Sequence, residues 1–422
     1  MKRKIFGILV CMLLIVTTVP VTGQIKGIFT CENIDFNGKI SPLSDDRWTK
    51  TFGGKDYDIG RSVQQTSDNG YIIVGSTESY GVEDVDIWLI KTDVNGNEQW
   101  NNTFGGLKTD YGCDVEQTID GGYIIVGRES YNNCWLIKTD VNGNLEWDKY
   151  FLKWELYRVR QTTDEGFIMV GETAISPPQN YDILLLKVDK DGNVMWNNTF
   201  GGSGYEVGTS VVQTSDGGYV LTGGRYLIKT DGNGSEEWIL EFDSNMEGRD
   251  VLQNSDGGYT VAGFKGNWPT NMTGWMIITN SIGEILYSKK YRGLFTYNRP
   301  NSIYQTSDGG YIMTGESNRE FPGGPLTMKL WLAKTDKIGR LIWSKRYGRE
   351  YEYGTKVQQT FDGGYIVVGG TNFFGQGSVD VWLLKTDKRG ITNQQIIYTL
   401  FLRFLEQHPN MFPILRQLLG LQ

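Results

Sequence analysis

The sequence predicts an all-β fold, a seven-bladed β-propeller of four-stranded antiparallel blades, and three observations carry that prediction. The stretch Gln65-Thr66-Ser67-Asp68-Asn69-Gly70-Tyr71, followed by Ile72-Ile73-Val74-Gly75, returns six more times, with copies ending at Tyr123, Phe167, Tyr219, Tyr259, Tyr311 and Tyr365. Each copy is a strand end, a tight Asp-Gly or Asn-Gly turn and a new strand, since Gly and Asn accept the positive φ that hairpin turns need. A second series, Trp48, Trp100, Trp147, Trp196, Trp238, Tyr287 and Trp343, recurs every 42 to 56 residues with no helical periodicity between its members. The third observation is at the ends: the first Trp-led strand, residues 48–52, precedes the first hairpin, and the last repeat stops at Lys388-Arg389-Gly390 without a fourth strand. Residues 48–52 are therefore predicted to pair with residues 381–386 and close the ring, which hides both exposed sheet edges.

Taken in order, the chain opens on Lys2-Arg3-Lys4, an apolar run from Ile5 to Val16, and small residues before Gln24. That is the pattern of a secretory signal peptide over residues 1–23; a retained N-terminal anchor is the alternative. Residues 24–46 have no periodicity and read as a linker, and residues 47–391 as the propeller. In the first repeat, residues 61–66, 71–77, 86–92 and 98–104 read as the four strands, with the second nearly all apolar as a strand buried on both faces should be. Loops between second and third strands vary most, from Gly223-Gly224-Arg225 to residues 317–327. Residues 392–422 read as an amphipathic helical tail broken at His408-Pro409. Docking on the propeller, membrane-surface contact, a partner helix and an export signal all remain open for it.

Composition narrows the function classes. The net charge of −8 falls to −11 once the leader's three basic residues are removed. A chain this acidic is a poor partner for nucleic acid, and cationic ligands fit it better. Cys113 and Cys134 fall on the first and third strands of one repeat, about 9.5 Å apart at the usual strand spacing, and are predicted to stay unbonded.

With the repeats laid out, the chain resembles the secreted seven-bladed β-propeller repeat proteins of archaea and bacteria. The shared pattern is Trp-x-x-Thr-Phe-Gly-Gly, Gln-Thr-x-Asp-Gly-Gly-Tyr-Ile and Trp-Leu-Ile-Lys-Thr-Asp-x-x-Gly-Asn, over residues 48–391. The resemblance implies the fold and lends no catalytic residues. Residues 93–100 are also similar to the Trp-docking motif of quinoprotein propellers. That likeness implies that Trp48, Trp100, Trp147, Trp196, Trp238 and Trp343 lock neighbouring blades; it implies no redox cofactor.

Candidate sites are fewer. The turn aspartates, such as Asp68 and Asp120, recur in every repeat and so read as architecture. Asp58, Asp110, Glu206 and Glu352 each precede a first-strand Val (Ile in no case) by five residues, and a partial acidic ring at the channel mouth is one expectation for them; solvated loop carboxylates are the other. Asp86, Asp182 and Asp380 cap loops or add to that ring. The loop aromatics Tyr80, Tyr181, Trp268, Phe321, Phe373 and Phe374 either bind a ligand or pack on neighbouring blades. The only histidine is His408, so the propeller offers no His-based triad or zinc site. No metal site, cofactor or catalytic residue is predicted, although a carboxylate pair for polysaccharide chemistry stays open. The expectation is an exported, non-catalytic module that binds a protein or a cell-envelope polymer through its variable-loop face. Carbohydrate binding is the alternative.

Overall fold

The computed structural model describes residues 33–34, 40–41, 47–82, 84–129, 133–175, 180–202, 204–266, 272–292, 296–319 and 327–393. The predicted leader, most of the linker and nearly all of the helical tail lie outside the described residues, as do Trp268 and Phe321. Residues 33–34 and 40–41 form a short antiparallel ladder in the first of two compact units of the chain.

The second unit is a seven-bladed propeller, each blade a four-stranded antiparallel meander. Blade one runs Asp58–Gln65, Tyr71–Thr77, Asp86–Thr92 and Glu98–Phe104. Blade seven takes Glu352–Gln359, Tyr365–Thr371 and Asp380–Thr386 from the end of the repeats and Trp48–Phe52 from the start. The closing register runs from Trp48 opposite Lys385 to Phe52 opposite Val381. First strands begin earlier than the sequence suggests, at Asp58 rather than residue 61 in blade one.

Burial explains the strand types. Every residue of Tyr71–Thr77 and Asp86–Thr92 is buried, whereas Glu98–Phe104 alternates between exposed and half-buried. Second and third strands are sandwiched between neighbouring blades, and fourth strands form the rim. The core is shared across blade boundaries: Val63, Tyr71, Ile73 and Trp88 of blade one pack with Ile366, Val368, Val381 and Leu383 of blade seven. Each such side chain contributes about 1.5–3 kcal/mol of transfer free energy, so no blade has a complete core alone.

The repeated turn aspartates bind the blades internally. Asp68 accepts from the buried Lys91 ammonium at 2.8 Å, and the same ion pair joins Asp120 to Lys138 and Asp362 to Lys385. Between blades, the last residue of each first strand is a glutamine whose side-chain oxygen accepts a backbone N–H from the preceding blade's hairpin turn. The series runs from Gln117 with Ser67 (2.8 Å) to Gln359 with Ser307 (2.7 Å) and closes at Gln65 with Phe361 (2.9 Å). Each rim Trp lies against the next blade. Trp48 meets Tyr71 edge-on at 5.7 Å, and Trp343 meets Tyr365 in the same way at 5.9 Å. Cys113 and Cys134 both carry free thiols, Cys134 buried and Cys113 partly so.

Candidate functional site

Every first strand carries a β-bulge at the same position, between the residue pairs Gly60/Ser62, Gly112/Asp114, Leu156/Arg158, Gly208/Ser210, Gly248/Asp250, Pro300/Ser302 and Gly354/Lys356. A bulge inserts one residue and re-aims its side chain. The inserted residues are Arg61, Cys113, Tyr157, Thr209, Arg249, Asn301 and Thr355, and all of them line one cavity of about 580 Å3 at the mouth of the central channel. That size falls within the ~300–1,000 Å3 of small-molecule sites. The residues two and four positions earlier, Ile59 and Tyr57 in blade one, Tyr353 and Tyr351 in blade seven, Val207 and Tyr205 in blade four, extend the wall. The mouth lies on the face that carries the second-to-third-strand loops, because first strands begin there.

The channel is filled beneath this cavity. The residue after each bulge points into a layer where Ser62, Asp114, Ser210, Asp250 and Ser302 are almost completely buried. Asp114 accepts from Arg160 Nη1 at 2.6 Å and from Ser62 Oγ at 2.5 Å, and these neighbours hold its carboxyl down at about 2 against the opposing cost of burial. Asp250 accepts from Ser210 Oγ at 2.7 Å and from the Ile303 amide at 3.0 Å. Burial, with repulsion from Arg158 and Arg160, lowers the nearby Lys356 to about 8. At the far end of the channel the glutamine ring spends its oxygens on inter-blade bonds, beside a second cavity of about 560 Å3 lined by Gln64, Glu116, Gln117, Gln161 and Gln213.

The cavity wall is rich in arginine and tyrosine. Arg128 pairs with Glu155 (3.1 Å), Arg158 with Asp114 (3.5 Å), Arg249 with Glu247 (3.2 Å) and Arg299 with Glu316 (3.2 Å). Arg61 is exposed and makes no hydrogen bond or ion pair with any described residue. The Tyr157 hydroxyl lies 2.9 Å from Glu155 Oε2 and 2.6 Å from Glu172 Oε1. Burial, offset in part by the Tyr157 bond, raises the Glu172 carboxyl above its ordinary range. A proton on one carboxyl lets the hydroxyl donate to one acid and accept from the other.

The four acids expected at the mouth are elsewhere. Asp58 and Glu352 are 0% exposed, Asp110 2% and Glu206 7%, and none lines the cavity. The reason is strand alternation. With the ladder reaching back to Asp58, the channel-facing residues are 57, 59 and 61, and residue 58 takes the opposite face. Asp58 instead secures the seam between blades seven and one. Asp58 accepts from the Thr77 hydroxyl, from Ser79 Oγ (2.6 Å) and from the Gly54 amide (2.8 Å). The Asp110 amide donates to Val85 of blade one at 2.6 Å, and burial, Glu129 and Asp86 push the Asp110 carboxyl up to about 7. Asp86 and Asp380 are buried at the same seams.

Loop aromatics are divided. Phe374 stacks on Trp382 at 5.4 Å and Tyr80 covers Trp88 at 5.2 Å, so both pack on their own blades. Phe373 is 42% exposed beneath the Arg349 guanidinium, 4.3 Å from its ring, and lies outside the cavity wall. Tyr181 meets the cavity-lining Tyr205 edge-on at 4.8 Å. The arginines and tyrosines of the wall went unread in the sequence. Their signal was the non-repetition of residues 61, 113, 157, 209, 249, 301 and 355 inside strands that otherwise repeat.

No family model matches this chain, and no curated protein does. Solved structures do. Virginiamycin B lyase of Staphylococcus aureus, in an inactive variant with quinupristin, is 11% identical over 81% of this chain and 99% of its own, with a TM-score of 0.51. A streptogramin B lyase is 11% identical over 80% and 97%, with a TM-score of 0.50. Sqt1 of Chaetomium thermophilum is 14% identical over 80% and 97%, with a TM-score of 0.49. At these identities the likeness to the lyases shows the propeller fold alone.

Proposed function

We propose that this chain is an exported binding module, and that its ligand, a piece of a cell-envelope polymer or of a protein, enters the loop-side mouth of the channel. The observation that carries this reading is the cavity of about 580 Å3 built by the seven bulged residues, closed below and open on the face with the variable loops. The leader-like residues 1–23 support export. The lyase chemistry is not carried over: the inactive virginiamycin B lyase has a histidine replaced by alanine, and this chain's single histidine, His408, lies in the tail.

The test is a thermal-shift screen of the secreted protein against envelope fractions and glycans, run beside Val207→Trp, which fills the mouth. A ligand at 100 times its Kd stabilises the folded state by about 2.7 kcal/mol. The expected result is a ligand that raises the Tm of the wild type and leaves the variant unmoved. Equal shifts in both proteins would place binding elsewhere. N-terminal sequencing of the exported protein should begin at Gln24.

One observation favours a second reading. Glu155 and Glu172 are bridged by the Tyr157 hydroxyl, and burial raises the Glu172 carboxyl above its ordinary range, the direction a general acid for polysaccharide cleavage needs. Release of reducing ends that Glu172→Gln abolishes would favour that reading.

A further inference from the structure

Resting on the proposed pocket, one further step concerns the chemistry of its ligand. Each of the other arginines on the wall already has a carboxylate partner, as described above. Arg61 has none among the described residues, and it stands exposed in the cavity with Tyr57 and Ile59 of its own strand. Cys113 and Tyr353 of the flanking blades line the same cavity, so Arg61 stands between the walls of both neighbours. An unpaired guanidinium presents a planar fork of donors that matches a carboxylate in two parallel hydrogen bonds. Tyrosine rings beside it offer flat apolar faces with a polar rim, and Thr209, Asn301 and Thr355 add neutral hydrogen-bonding groups.

We propose that the channel mouth binds an acidic sugar residue, a ring bearing one carboxylate, with Arg61 holding the carboxylate, the tyrosines covering the ring faces and the neutral side chains meeting its hydroxyls. Only one charge of the ligand is matched, because the remaining cations of the wall are neutralised internally. The acidic surface of the secreted protein, at −11 without residues 1–23, opposes long anionic chains and favours capture of a single residue or chain end.

The experiment is titration calorimetry of the full secreted chain with oligogalacturonate, with its methyl ester, and with an acidic peptide of similar charge. Wild type, Arg61→Ala, Arg61→Lys and the mouth-filling Val207→Trp are compared. The expected result is binding of the free acid that weakens at least tenfold in Arg61→Ala, several-fold in Arg61→Lys and in the methyl ester, and is lost in Val207→Trp. Binding of acid and ester alike, unchanged in Arg61→Ala but lost in Val207→Trp, overturns the acidic-sugar assignment and leaves the pocket standing. Binding that survives Val207→Trp overturns the pocket itself. Capture of the peptide but not the sugar overturns the assignment in favour of a protein ligand, and absence of binding by any probe overturns it outright.

Discussion

At the scale of single residues, the blade contacts depend on where a side chain is missing. Gly96 has a φ of +72°, and a Cβ added there would meet the Trp48 ring at 2.5 Å. Gly121 has a φ of +88°, but a Cβ there would find nothing within 4 Å. Both positions impose the left-handed backbone cost of an L-residue, about 1–2 kcal/mol. Only Gly96 also holds a docked indole. Gly121→Ala should therefore lose about 1 kcal/mol in urea unfolding, and Gly96→Ala a further ~1–3 kcal/mol as Trp48 is pushed off its seat. Equal losses would mean that the turn glycine serves the turn alone and that the indole contact is incidental. The same comparison separates the two glycine roles that the sequence presents identically, as Asp-Gly or Asn-Gly in a turn.

At the scale of elements, the strand Trp48–Phe52 carries the most consequence for its length. It supplies the outer strand of blade seven and leaves the edge of Asp380–Thr386 paired. A variant lacking residues 47–52 should melt at least 10 °C lower than wild type and self-associate in sedimentation, since a bare edge of Val381, Leu383 and neighbouring residues is a template for another chain. An unchanged Tm and a monomer would contradict closure by this strand. The pairing was readable because its cues are local and repeated: turn glycines, uniformly apolar second strands and a missing fourth strand. Strand starts were less readable. Nothing in residues 56–60 marks a boundary, so the ladder's extension back to Asp58 was missed. Because alternation has a period of two, that extension decides which face Asp58, Asp110 and Glu352 occupy.

At the scale of the whole molecule, the channel shows why the fold was easier to read than the site. The fold is written seven times over, and repetition averages out local noise. The cavity is written once around the ring, with one bulged residue per blade at its centre, so Arg61, Tyr157 and Arg249 line one space only after the sheets close. The same closure gives the stability a two-sided dependence on pH. Asp114, held at about 2 below the ordinary 3.8, favours the folded state above about pH 4, a contribution lost as the pH falls toward 2. Asp110, raised to about 7 by burial and by Glu129 and Asp86, with Lys108 opposing, acts in the other direction. Its neutral form suits the fold, so the folded state loses stability as the pH rises from about 4 through 7. Thermal unfolding from pH 2 to 8 should give a maximum Tm in the mildly acidic range. Asp110→Asn should flatten the neutral limb and raise the Tm at pH 8 relative to wild type. Asp114→Asn, which leaves Arg160 with a weaker partner, should flatten the acid limb and lower the Tm at pH 7, by the equivalent of about 3–5 kcal/mol for a broken buried pair. A neutral limb with the same slope in Asp110→Asn would move that titration to another group. An acid limb with the same slope in Asp114→Asn would mean that the Asp114 charge does not set it, and would move that titration to the neighbouring buried Asp250, whose carboxyl is also held low.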